Sequence, residues 1–83
     1  MYQIERGDIL EDWLAGEPDP EKRLTMLEWM VDLATDPLHQ AHRVPGVRPP
    51  VYLRITPVRN VTLTFLHVEQ FHVVKLIEFG TLP

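Results

Sequence analysis

The chain has 83 residues, 45 % hydrophobic and 24 % charged, with a formal net charge of −4, which bounds it to one small folded domain over residues 1–83 with a thin core. It contains no cysteine, which excludes a disulfide framework, a thiolate metal site and a thiol nucleophile. The opening MYQIERGD has no basic, then apolar, leader pattern, and no apolar run nears the roughly 20 residues of a membrane span, so a cytoplasmic protein without membrane contact is expected.

Tyr2 and Ile4 alternate with polar neighbours, which predicts a short first strand, Met1 to Glu5. Asp8, with Glu11 three positions on, has the spacing of a capping box. Ile9, Leu10, Trp13 and Leu14 then predict a helix over 9–15, stopped by Gly16. In Glu17-Pro18-Asp19-Pro20, Asp19 is placed to cap a second helix and Pro20 to occupy its first position. That helix, 20–35, carries one stripe of Leu24, Leu27, Val31 and Ala34, widened by Met26, Trp29, Met30 and Leu33. The aromatic and methionine residues suit either core packing, the favoured reading, or a groove for a partner helix.

Asp36-Pro37 ends the helix, and Leu38 to Pro50 reads as a loop punctuated by Pro45-Gly46 and Pro49-Pro50. Val51, Leu53 and Ile55 alternate with Tyr52, Arg54 and Thr56 as a half-buried strand. After a turn at Pro57–Asn60, Val61, Leu63 and Phe65 alternate with Thr62, Thr64 and Leu66. A tight turn at Glu69-Gln70 leads into a nearly continuous hydrophobic strand, Phe71 to Phe79, which reads as central and is stopped by Gly80. The order β-α-α-β-β-β defines an α+β fold: a small, three- or four-stranded, mostly antiparallel sheet with two helices on one face.

Pairing Ile55 with Val61 and Phe65 with Val74 puts Val51, Leu53, Ile55, Leu63, Phe65 and Leu76 on the helix-covered face. The same register puts Tyr52, Arg54, Thr62, Thr64, Leu66 and Lys75 on the open face. Residues 1–36 hold ten acidic against three basic side chains, net −7, whereas residues 37–83 hold two against five, net +3. The open sheet face is therefore the expected surface for an anionic partner, with Arg54, Lys75 and Tyr52 on it and Arg48 and Arg59 at its rim. His39, His42, His67 and His72 invite a metal reading, but lack acidic residues at ligand spacing. Neither a metal nor a cofactor is expected. His67 and His72 are placed opposite each other at the last hairpin.

The element order resembles the RelE/ParE superfamily of bacterial toxins. The residues that carry the resemblance are Asp36-Pro37, Arg43-Val44-Pro45-Gly46, Val51-Tyr52-Leu53-Arg54, Asn60-Val61-Thr62-Leu63-Thr64-Phe65 and Val73-Val74-Lys75-Leu76-Ile77. The resemblance implies a toxin-like component of a type II toxin–antitoxin pair, bound by an antitoxin and directed at messenger RNA on the ribosome or at gyrase. Arg54 and Lys75 match the basic residues that the family's nucleases carry on the open sheet. Those nucleases also carry Tyr or His near the C-terminus. Phe79–Pro83 holds neither, so the catalytic residues stay unassigned. The alternative is a non-catalytic interaction module of the same fold, working as a homodimer or assembly subunit.

Overall fold

The computed structural model describes residues 1–82. In chain order it comprises β1 (Gln3–Glu5), α1 (Gly7–Gly16), α2 (Pro20–Thr35), β2 (His42–Arg43), β3 (Val51–Ile55), β4 (Val61–Val68), a 3₁₀ turn (Glu69–Phe71) and β5 (Val73–Thr81). The strands form one sheet in the order β1-β5-β4-β3-β2, with β1 parallel to β5 and every other pair antiparallel. This is the expected α+β architecture, mostly antiparallel, with the last strand interior.

The second helix begins as its sequence predicts: Asp19 accepts the Glu21 amide at 2.9 Å and Pro20 takes the first turn. The first does not. Arg6, in the left-handed conformation (φ 63°), holds the N-cap position, so Asp8 already lies in the first turn and the expected capping box does not form. Asp8 instead grips the Arg6 guanidinium through two contacts of 3.0 and 2.9 Å. Its negative charge there suits the helix N-terminus.

Met26, Leu33, Leu63, Phe65, Val74 and Leu76 are fully buried, and Trp29, Met30 and Val58 complete the core. The buried side of α2 is thus Met26–Trp29–Met30–Leu33. Of the expected stripe only Ala34 is buried, and Leu24, Leu27 and Val31 face water instead, exposed at 58, 45 and 56 %. A helix apolar over most of its girth offers two candidate stripes, and the one with the larger side chains buries more area.

The strand register departs from expectation twice. In the β3–β4 hairpin Ile55 pairs with Thr62, Arg54 with Leu63 and Tyr52 with Phe65, so the connection has six residues, 56–61, and not five. Thr56 ties it: its amide reaches Val61 O at 3.0 Å and its hydroxyl accepts the Val58 amide at 3.2 Å, while Val58 enters the core. A one-residue change of register exchanges the faces of a strand. Tyr52 and Arg54 therefore lie on the helix-covered face, and Val51, Leu53 and Ile55 on the open one.

In the β4–β5 hairpin the 3₁₀ turn and His72, itself left-handed at φ 51°, move the pairing by two residues, to Val68–Val73 and Phe65–Leu76. An even shift keeps the faces. A bulge between Thr64 and Phe65 then brings Leu63 opposite Phe79 and Thr62 opposite Gly80. Gly80, expected to end the strand, lies inside it opposite Thr62, where a Cβ would stand 3.1 Å from the Thr62 hydroxyl. The short β2 carries no alternation for the sequence to reveal. It forms because Val44 N–H reaches Val51 O at 2.8 Å and holds the loop beside β3.

The two stripes of α2 should respond differently to truncation. Leu33→Ala is expected to cost about 3 kcal/mol in urea denaturation, and Leu27→Ala within about 0.5 kcal/mol of zero. Equal losses would contradict the helix orientation.

Candidate functional site

Arg54 reaches from β3 across the core face to the end of α2. The residue is only 5 % exposed. Its Nη1 donates to the carbonyl oxygens of Asp36 (3.2 Å) and Pro37 (3.4 Å), and its guanidinium carbon lies 5.0 Å from the centre of the Trp29 ring. The last turn of α2 contains no basic residue of its own, so Arg54 supplies from another strand the positive charge that a helix C-terminus favours. Burial pulls its pKa below the ordinary arginine value, and the charges of Asp36 and Asp32 oppose that shift. Its expected place on the open face is corrected by the β3 register. Tyr52 is corrected with it: it stacks on Phe65, ring centres 6.1 Å apart, and meets the His67 ring edge-on at 6.1 Å.

The remaining basic residues do not converge. Lys75 is exposed on the open face, but its lateral neighbours in the sheet are Leu66 and Glu5. Glu78 shares that face, so the lysine does not define a basic surface. Arg48 is exposed in the loop that precedes β3, near the Val51 end. Arg59 is exposed in the turn beyond Ile55, four residues along the strand, or about 13 Å away. The open face is predominantly apolar and hydroxylic: Val51 beside Leu66, Leu53 beside Thr64, Ile55 beside Thr62. Ile55, at 55 % exposure, is its most accessible large apolar side chain.

A second polar cluster was only half legible in the sequence. His67 pairs with Val74, not with His72. Both rings nevertheless pack on Tyr2, with centres 5.2 and 4.8 Å from it. The Tyr2 hydroxyl donates to Glu69 Oε2 at 2.7 Å, and His67 Nε2 lies 3.2 Å from both the hydroxyl and the carboxylate. With the tyrosine proton committed to Glu69, the imidazole fits this network as the Nε2–H tautomer, donating to both oxygens. The cluster joins β1 to the distant hairpin, helped by Gln3 N–H to His72 O (2.8 Å), while Tyr2 N–H to Ala34 O (2.7 Å) ties the strand to the end of α2. Tyr2 carried no signal beyond its place in a short strand, because its partners lie 65 and 67 residues away.

A cleft of about 490 Å³ opens beside Arg54, lined by Trp29, Asp32, Thr35, Asp36, His39 and Gln40. His39 and His42 do not join the other two histidines. Among the described residues no three His, Asp or Glu side chains converge as metal ligands. Among the described residues no helix is long and apolar enough to cross a membrane.

The layered arrangement, with two consecutive helices on one face of a sheet whose first strand runs parallel beside its last, defines a RelE-like fold. The particular structures it matches are those of E. coli RelE. The isolated RelE toxin superposes with a TM-score of 0.72 at 18 % identity, covering 100 % of this chain and 86 % of that one. A chain of the intact E. coli RelBE toxin–antitoxin complex gives 0.73 at 18 % identity, covering 100 % and 99 %. An E. coli RelE mutant with two arginines replaced by alanine, in complex with a RelB antitoxin peptide, gives 0.68 at 18 % identity, covering 99 % and 84 %. No family sequence profile and no curated protein sequence matches the chain.

Arg54→Ala should destabilise the fold by about 2 kcal/mol, because two carbonyls lose their charged donor at a buried site. Arg54→Lys should recover only part of that, since a point charge replaces the fork that lies over Trp29. Urea midpoints of the two variants check both expectations. Tyr2 provides a pH signature. Its hydrogen bond to Glu69, with burial and the charges of Glu69 and Asp36, raises its pKa above 10.0. A raised value means the folded state holds the proton more tightly. The contribution is therefore complete below pH 10 and is lost as pH climbs through the folded-state value. Tyr2→Phe should lack that alkaline loss, and melts recorded across pH 9 to 11 would reveal a surviving slope if the cluster were not responsible.

Proposed function

We propose that the protein is the toxin-like member of a toxin–antitoxin pair, and that an antitoxin segment lies across its open sheet face. The observation that carries this reading is the likeness to RelE over the whole chain, including RelE chains solved with RelB. The face itself supports it. Val51, Leu53 and Ile55 point away from the helices and are only partly covered, next to Leu66 and Val73. An amphipathic segment would bury these side chains while Lys75 takes one of its carboxylates. Arg48 and Arg59, exposed in the loops at the two ends of β3, would lie near the ends of such a segment.

The dispersal of the cations favours protein binding over phosphate binding. Cleavage of RNA at a 2′-hydroxyl requires a base, an acid and positive charge at one phosphate. Here Arg54 caps a helix, Arg48 and Arg59 lie at opposite ends of β3, and Lys75 stands beside Glu5 on a face it shares with Glu78. The same observation favours, as a second reading, a module of this fold that binds its partner without cutting RNA on the ribosome and without acting on gyrase.

Expression of the chain alone, with and without the small reading frame adjacent to its gene, separates the two. Growth arrest relieved by the neighbour supports the toxin reading. Unimpaired growth with a stable complex supports the binding module. In either case Ile55→Asp and Lys75→Glu should each weaken the complex about tenfold in calorimetry, a loss of about 1.4 kcal/mol. Glu11→Gln, on the helix layer, should leave it unchanged. A complex indifferent to both sheet changes would remove the open face from the interface.

A further inference from the structure

The open sheet face is not the only unpartnered apolar surface. Leu24, Leu27 and Val31 sit at i, i+3 and i+7 on the outer side of α2, more than 40 % exposed, while the inner side of the same helix fills the core. Side chains at these spacings stand in line along one helix face. Isolated exposed leucines are ordinary, but three apolar side chains in register form a seam about 10 Å long.

The charges along one flank of the seam are all negative. Glu21, Glu28 and Asp32 follow its length on one flank at i, i+7 and i+11 and are exposed. Among the described residues none of them has a basic side chain within 4 Å; the ion pairs are Arg6–Asp8, Lys22–Glu17 and His67–Glu69. On the other flank Arg23 is half-buried, its guanidinium committed to Glu17 O at 2.7 Å in the turn before the helix. The helical half of the chain carries a net −7.

An apolar seam flanked by exposed carboxylates, of which Asp32 also borders the cleft beside Arg54, offers one half of a helix–helix interface. The geometry points to α2 as a docking site for a basic amphipathic helix, with apolar residues at i, i+3 and i+7 and lysine or arginine flanking them. Such a helix would bury the leucines and valine, and its cations would answer Glu21, Glu28 and Asp32 as flanking charges do in helical pairs. A second copy of this chain fits poorly, because it would bring the same carboxylates against themselves. An anionic membrane surface is disfavoured for the same reason. The site lies on the outside of the helix layer, on the opposite side of the protein from the sheet face assigned above. It does not depend on that assignment.

The test uses the full chain, isotope-labelled, and two capped helical peptides of leucine with lysine and of leucine with glutamate in the same pattern. The leucine–lysine peptide should shift the amides of α2 and leave those of Val51–Ile55 in place. Leu27→Ser with Val31→Ser should weaken binding about tenfold or more, as expected for two lost apolar contacts. Glu21→Gln with Glu28→Gln and Asp32→Asn should weaken it severalfold, and should flatten its dependence on salt between about 0.05 and 0.5 M. Gln70→Ala, in the exposed turn between β4 and β5, should leave binding of the leucine–lysine peptide unchanged. The substituted side chains are exposed, so the fold should survive, and the amide map on the unmodified chain needs no variant. No binding by the leucine–lysine peptide, equal binding by the leucine–glutamate peptide, or shifts confined to the sheet face would each overturn the proposal.

Discussion

The guanidinium of Arg54 lies where three elements meet. It comes from β3, rests on Trp29 of α2, and donates to the two carbonyls at which α2 gives way to the following turn. Each part constrains the others. A buried cation is costly unless its donors are satisfied and its charge is answered. The helix C-terminus supplies carbonyls that need a donor, and Asp36 and Asp32 supply opposite charge nearby. The contact fixes which side of α2 turns inward, because Trp29 must face the sheet to receive the arginine. It also fixes the register of β3, because Arg54 can reach the helix only when it points to the covered face.

Once that register is set, the open face follows. Tyr52 goes inward with Arg54, and Val51, Leu53 and Ile55 turn outward. A surface that composition marked as basic is thereby mostly apolar, with one lysine whose lateral neighbour is Glu5 and which shares its face with Glu78. The positive charge of the C-terminal half is real, but it is distributed over a buried cap (Arg54), two loops (Arg48 and Arg59), the edge strand β2 (Arg43) and the interior strand β5 (Lys75). Net charge describes a segment and says nothing about which side of a sheet its members occupy.

The N-terminal strand shows a second long-range dependence. A three-residue strand has little stability of its own and holds its place through partners elsewhere. Tyr2 provides them at the far end of the chain, through Glu69, His67 and His72, and Arg6 then turns the backbone into α1. The parallel β1–β5 pair, which gives the fold its RelE-like order, is thus secured by a polar cluster at the sheet's end. The residues with the most varied chemistry in the chain serve there as a clasp.

Much of the architecture was legible in the sequence because it rests on local chemistry. Asp19 and Pro20 start α2 wherever that helix packs, Asp36-Pro37 stops it, and the alternation of Val51 to Ile55 and Val61 to Leu66 makes strands in any register. The α+β class and the placing of two helices on one sheet face follow from that order. The faces did not follow. A period of two gives a strand two sides without saying which is covered, and one extra residue in the connection 56–61 exchanged them. A helix apolar nearly all round likewise left its inner side to be chosen by Trp29 and Arg54. The candidate site inherited that ambiguity: Arg48, Arg59 and Lys75 are on the surface, but Arg54 and Tyr52 are not on the open face. Tertiary structure decided these points because burial, hydrogen-bond satisfaction and charge compensation act between residues far apart in the chain, where no local pattern records them.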